Sequence, residues 1–184
     1  MRLFIAVEIP DEIKKNIVER INELKPVEAV VKWVAKENLH ITLKFLGWVE
    51  EKDLDKLIEM TSKAVESFHR FKVNFAGLGT FPEGKAPRVV WVGMGEGAEE
   101  MGKLAEALEN KLSRAGFRSE PREFKPHLTI GRIKAKKGVD NLKTNLAAIK
   151  EPKFGETEVD SLFIMKSTLT SKGPIYEKIK EVKL

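Results

Sequence analysis

The sequence contains no cysteine. That excludes disulfides, thiolate nucleophiles and every zinc site built on Cys, and it fits a reducing compartment. It also lacks any apolar run near the roughly 18–20 residues that a membrane span needs. The opening MRLFIAVEIPDE has only a short apolar stretch, broken by polar residues. It has neither the longer apolar core nor the small-residue cleavage site of a signal peptide, so a cytoplasmic location is expected. Histidine occurs three times and tyrosine once. Imidazole chemistry therefore has few places to be.

What is present reads as a soluble globular protein with a heavily charged surface: 184 residues, 42% hydrophobic and 33% charged. Lys+Arg number 33 against 28 Asp+Glu, a net charge of +5, with a pI of about 9.3. That balance favours anionic partners, nucleic acid among them. No low-complexity linker divides the chain, so residues 1–184 are expected to form one domain.

Strand and helix patterns interleave. RLFIAVEI alternates Leu3, Ile5, Val7 and Ile9 on one face and reads as a half-buried strand. After Pro10-Asp11, Ile13, Ile17, Ile21 and Leu24 recur at helical spacing, and Pro26 closes that helix. VKWV and LHITLKFL read as strands, joined as a hairpin around residues 35–38. Leu54, Leu57, Ile58, Val65 and Phe68 mark an amphipathic helix. FKVNFAGL and RVVWVGM are strands flanking a turn-rich segment. Met101, Leu104, Leu108 and Leu112 mark a helix ending near Gly116. HLTIGRI is a short strand, and residues 139–149 look helical with Asp140 as N-cap. EVDSLFIMKSTL reads as one long strand and YEKIKEVKL as a terminal one. Mixed order with short connections predicts an α+β fold with mainly antiparallel sheet.

Two of the three histidines stand in one setting, HITL at 40–43 and HLTI at 127–130. In a strand, residues two apart share a face. Leu39, Ile41, Leu43 and Phe45 would face a core, leaving His40 and Thr42 to project together; Leu128 and Ile130 would do the same for His127 and Thr129. Thr fills eight of the 184 positions, so chance would pair two of three histidines this way roughly 0.5% of the time. Two imidazoles can supply a general acid and a general base near neutral pH, and hydroxyls can donate to oxygens gaining charge. No Cys or Ser nucleophile adjoins either histidine. The motifs offer two metal ligands where a site would want three. Metal-independent phosphoryl transfer is the chemistry that this set matches.

Paired HxTx motifs make the chain resemble the two-histidine phosphoesterase superfamily. It is most similar to the bacterial and archaeal RNA 2′,3′-cyclic phosphodiesterases, also called 2′–5′ RNA ligases. RLFIAVEIP, LHITLKFLG, RVVWVG, FKPHLTIGR and LFIMKSTL…YEKI carry the likeness along nearly the whole chain. The resemblance implies two pseudo-symmetric lobes of mainly antiparallel sheet with outer helices, one HxTx on each side of the cleft between them. It implies hydrolysis of an RNA 2′,3′-cyclic phosphate to a 2′-phosphomonoester. His40 would protonate the departing 3′ oxygen, His127 would take the proton from water, and Thr42 and Thr129 would hold non-bridging oxygens; the sequence itself does not distinguish the two rings. Run backwards with a 5′-hydroxyl, the site would join RNA ends through a 2′–5′ bond without ATP. The expected partner is RNA with 2′,3′-cyclic phosphate ends, tRNA halves included, taken by a monomer with no cofactor, metal or membrane. The alternative is a module that binds RNA ends without turning them over.

Other residues are open to two readings. Arg132 is a candidate phosphate clamp by charge and proximity, but strict alternation puts it opposite His127 unless Gly131 breaks the strand. Lys44, on the face of His40, and Lys125 read as solvated surface cations. Trp48, Phe81 and Tyr176 could stack on bases or simply pack. His69, near a helix end, complements the helix dipole. Gly93-x-Gly95-x-x-Ala98 approaches a dinucleotide fingerprint, but Pro121 spoils the strand that Glu120 or Glu123 would have to end. Turn-making glycines are the expected explanation.

Overall fold

In the computed structural model, which describes every residue except Lys85, Lys150, Glu151 and Lys172, two antiparallel sheets share the chain. The first contains β1 (Arg2–Glu8), β3 (His40–Trp48), β8 (Ser161–Thr170) and β9 (Gly173–Lys183), in the order β3-β1-β8-β9. The second contains β2 (Val31–Trp33), β4 (Phe71–Phe81), β5 (Val89–Met94), β6 (His127–Ile133) and β7 (Lys153–Val159), in the order β2-β6-β5-β4-β7. Each has two helices outside it. α1 (Asp11–Leu24) packs on β7 and α4 (Val139–Ala148), and α4 on β4; α2 (Leu54–Val65) and α3 (Ala98–Arg114) pack together and against β9 and β3. The two lobes thus exchange helices, since α1 follows a strand of one sheet and covers the other. Among the described residues no helix is long and apolar enough to cross a membrane.

The helices follow their periodicity. Ile13, Ile17, Ile21 and Leu24 form the buried stripe of α1, and Met101, Leu104, Leu108 and Leu112 that of α3. Their side chains join Leu3, Ile5 and Val7 in one continuous core. α2 stops at Val65, leaving Phe68 and the exposed His69 in the connection to β4. Asp140 lies in the first turn of α4, and the N-cap position belongs to Gly138, whose left-handed φ of 74° brings it hard against the Glu28 carbonyl.

Three expectations need correcting. β2 and β3 are not a hairpin: β2 pairs with β6 and β3 with β1, so the chain crosses between lobes at the Lys36–Asn38 turn. EVDSLFIMKSTL is not one strand. It breaks at Asp160, β7 pairing with β4 and β8 with β1. Asp140 is not a cap, as above. The glycine segment behaves as expected of turns: β5 lies between antiparallel neighbours, and Gly97 caps α3 at φ 80°, its missing Cβ making room for the Lys72 carbonyl.

Candidate active site

The alternation predicted for the two HxTx strands holds through the motif. Leu39, Ile41 and Leu43 are buried under His40 and Thr42, and Leu128 and Ile130 under His127 and Thr129. β3 and β6 belong to different sheets but pack against one another. His40 Nδ1 lies 2.7 Å from the Asn38 carbonyl, and His127 Nδ1 lies 2.6 Å from the Lys125 carbonyl. A carbonyl only accepts, so each Nδ1 carries the proton and each Nε2 keeps a lone pair in the neutral ring. The same backbone device, the carbonyl two residues upstream, orients both imidazoles. The Thr42 hydroxyl donates to His40 Nε2 at 3.0 Å.

Aromatic rings wall both histidines. Phe4 lies 5.0 Å and the edge of Tyr176 5.2 Å from the His40 ring; Phe81 stands edge-on to His127 at 5.2 Å. Phe81 in turn packs on Trp91 at 5.0 Å, whose indole fills the space that a side chain at Gly79 would take. Burial pushes the His40 pKa down to about 4, against the opposing pull of the Asn38 carbonyl. Lys14 and Arg132 add to the depression and Glu8, its partner across the ladder, opposes it. His127 is also lowered, first by burial and then by Arg132, with no carboxylate opposing. Arg132 thus acts on both imidazoles, and on Tyr176 as well, whose pKa burial raises. One guanidinium lies within electrostatic reach of all three rings.

How Arg132 comes to share the face of His127 is visible in the ladder. Val90 pairs with Gly131 and Trp91 with Thr129, so Ile130 is an extra residue, a β-bulge. Ile130 and Gly131 are both buried, and Arg132 returns to the side of His127. Strict alternation fails there, which corrects the opposite-face expectation. β3 has the same bulge at the same place: Ala6 pairs with Thr42 and Ile5 with Lys44, leaving Leu43 extra. Lys44 is therefore not a surface cation on the face of His40. It is 3% exposed, ion-paired with Glu109 on α3 and donating to the Arg118 carbonyl at 2.8 Å. Phe45, expected in the core, is turned outward and is 48% exposed. One lobe presents an aromatic where the other presents a cation.

The remaining candidates divide. Lys125 is exposed, its ammonium 5.8 Å from the Phe81 ring centre. Phe81 and Tyr176 belong to the histidine walls, while Trp48 is 79% exposed. His69 takes no part. Asn38, Phe4 and Glu8 had no signal in the sequence: the first acts through its backbone carbonyl, the others only through cross-strand register. Glu8 is itself paired with Lys178 at 2.7 Å. Among the described residues, no three His, Asp or Glu side chains gather as a metal site.

Comparison with known proteins finds relatives along nearly the whole chain. Residues 9–170 match the 2′-5′ RNA ligase superfamily. An Archaeoglobus fulgidus protein named RNA 2′,3′-cyclic phosphodiesterase is 41% identical over 98% of both chains. One of the same name from Methanocaldococcus jannaschii is 40% identical over 98% of this chain and 99% of its own. The crystal structure of E. coli LigT complexed with 3′-AMP superposes with a TM-score of 0.80 at 27% identity, covering 100% of this chain and 97% of that one.

Proposed function

Because the chain belongs to the 2′-5′ RNA ligase superfamily, we propose that its cleft hydrolyses RNA 2′,3′-cyclic phosphate ends to 2′-phosphomonoesters without a metal ion. Water attacks phosphorus and gives its proton to His127 Nε2. The bond to the 3′ oxygen breaks, and that oxygen takes a proton from His40 Nε2. Thr42 and Thr129 hold the non-bridging oxygens and Arg132 offsets their charge. The observation that carries this reading is the shared orientation of the two imidazoles, each held by an upstream carbonyl so that Nε2 is the free nitrogen.

One difference between the two neighbourhoods supports this division of labour. Glu8 supports a positive His40 against Lys14 and Arg132, whereas at His127 no carboxylate stands against Arg132 and only the Lys125 carbonyl favours the charged ring. Burial of His40 opposes the assignment in the free protein. A bound phosphodiester anion reverses that balance, because an opposite charge at hydrogen-bond distance favours imidazolium. Once Nε2 is protonated, the Thr42 hydroxyl is released from donating to it and can turn to a phosphate oxygen.

By microscopic reversibility a 5′-hydroxyl in place of water would form a 2′–5′ bond. Both lobes contribute to the cleft, so residues 1–184 act as one catalytic domain, here taken as cytoplasmic. The test is incubation with an oligonucleotide ending in a 2′,3′-cyclic phosphate, with identification of the monoester. The expected product is the 2′-phosphate, and His40→Ala and His127→Ala each lower turnover about 10²–10⁴-fold while RNA still binds. Binding with no monoester formed would make the protein an RNA-end-binding module instead. Loss of turnover on EDTA treatment would overturn the metal-free chemistry.

A further inference from the structure

β8 and β9 run past the rest of their sheet. β1 pairs with β8 from Ala6↔Phe163 to Leu3↔Lys166, whereas the ladder of β8 with β9 continues through Ser167↔Tyr176 and Leu169↔Pro174 to Thr170↔Gly173. The two strands therefore extend beyond β1 as an arm. β3 and β9 are the edge strands, and His40 pairs with Glu8 at the end of β1 opposite to that arm. In a flat sheet, with about 3.3 Å per residue and about 4.8 Å between strands, Asn38 and Pro174 would stand roughly 35 Å apart. Instead they touch: Asn38 Nδ2 donates to the Pro174 carbonyl at 3.2 Å.

Twist brings these two corners together. A strongly twisted sheet lifts one diagonal pair of its corners toward each other. β9 adds to the twist with an extra residue, Ile179, between the pairs Ile164↔Lys180 and Met165↔Lys178. The arm thereby comes down over the face that carries His40. Tyr176 lands edge-on against Phe4 at 5.0 Å and against His40 at 5.2 Å. Asn38 also holds that ring from its other end, since its carbonyl accepts from His40 Nδ1 at 2.7 Å. One residue of the crossover between lobes thus grips the arm with its side chain and the imidazole with its backbone.

We propose that Asn38 is a positioning residue for His40: its amide clasps the arm, the clasped arm seats Tyr176 on the ring, and its carbonyl sets the direction in which the ring points. The inference rests on the reading above in making His40 the proton donor. The groups that face this ring are Glu8 on β1, itself paired with Lys178 of β9, then Lys14 on α1, Arg132 on β6 and Tyr176 on β9. Tyr176 is the one that rides on the arm. With the arm released, the ring loses a wall and gains water, so it binds a proton more readily. A ring with more freedom to turn also meets the leaving oxygen less often in the reactive geometry.

The test is Asn38→Ala, read first by NMR titration of the His40 ring in the free protein. The pKa should rise from about 4 toward 6.5, with His69 unchanged. On an oligonucleotide ending in a 2′,3′-cyclic phosphate, kcat should fall about tenfold or more with KM changed far less. The kcat/KM optimum should move to higher pH. Asn38→Gln, which keeps an amide donor, should restore part of each; Asn38→Asp, of the same shape but unable to donate, should not. Tyr176→Ala keeps the clasp and removes the wall, so it should raise the His40 pKa as well, and the double variant should go no further than either single one. A lowered Tm in Asn38→Ala with the His40 titration and pH profile unmoved would make the bond merely structural and overturn the proposal. Effects of Asn38→Ala and Tyr176→Ala that simply add would overturn it too. If Asn38→Ala does not fold, Tyr176→Ala decides, an unchanged His40 titration counting against the proposal. The expected His40 shifts with no substrate turned over by the native protein would uphold the clasp and overturn the cleavage.

Discussion

Lys44→Met removes an ammonium whose side chain is 1% exposed from a carboxylate, Glu109, that is 28% exposed. The lysine also donates to the Arg118 carbonyl at 2.8 Å, and Glu109 accepts from the Glu120 backbone N–H at 3.1 Å. The pair therefore ties the strand carrying His40 to the segment that runs into His127. Methionine fills nearly the same volume, so the cost is electrostatic: a carboxylate loses its cation and a carbonyl its donor. Breaking a buried pair from one side costs about 3–5 kcal/mol, and access of water to Glu109 puts this case near 3. For a chain of this length that is a fall in Tm of about 6–12 °C. In urea the midpoint should fall with the slope unchanged. Glu109→Leu should cost more, since it strands the fully buried charge. Combining the two removes both charges, and the double variant should be more stable than either single one. A loss below about 1 kcal/mol for Lys44→Met, the range of exposed pairs, or single effects that simply add, would refute the reasoning.

The pH dependence carries a sign. Burial lowers both imidazoles from 6.5 in the free protein, so kcat/KM should peak on the acid side of that value. Bound phosphate favours imidazolium, so the kcat maximum should lie at higher pH; coincident profiles would contradict this. Gly97→Ala places a Cβ 2.1 Å from the Lys72 carbonyl at a φ of 80°, and should cost at least about 2 kcal/mol in urea unfolding. A neutral effect there would reopen a ligand-binding role for the glycine segment.

Regular elements were legible wherever one period ran uninterrupted. The stripes of α1 and α3, the alternation of β1 and both HxTx pairs needed no tertiary information. What failed was non-local. Nothing in VKWV or LHITLKFL says that they belong to different sheets, because pairing partners lie far away in the chain. Asp160 divides β7 from β8 without a Gly or Pro to mark it. The bulges at Leu43, Leu46 and Ile130 are invisible to a parity rule, which assumes that residues pair one to one across the ladder. Those bulges bury Lys44 and turn Phe45 and Arg132 to the faces that carry the two histidines, so the errors concentrated beside the HxTx pairs. The carbonyls of Asn38 and Lys125 could not be found from side chains at all.

The central claim is that two imidazoles from separate sheets meet one phosphorus. Histidine labelled with ¹⁵N reports each ring nitrogen directly, and His69 serves as an internal control. On titration with a 2′-phosphomonoester nucleotide, Nε2 of His40 and of His127 should shift together with one affinity, both Nδ1 remaining protonated and His69 unmoved. Movement of only one ring, or of the two with separate affinities, would contradict the account.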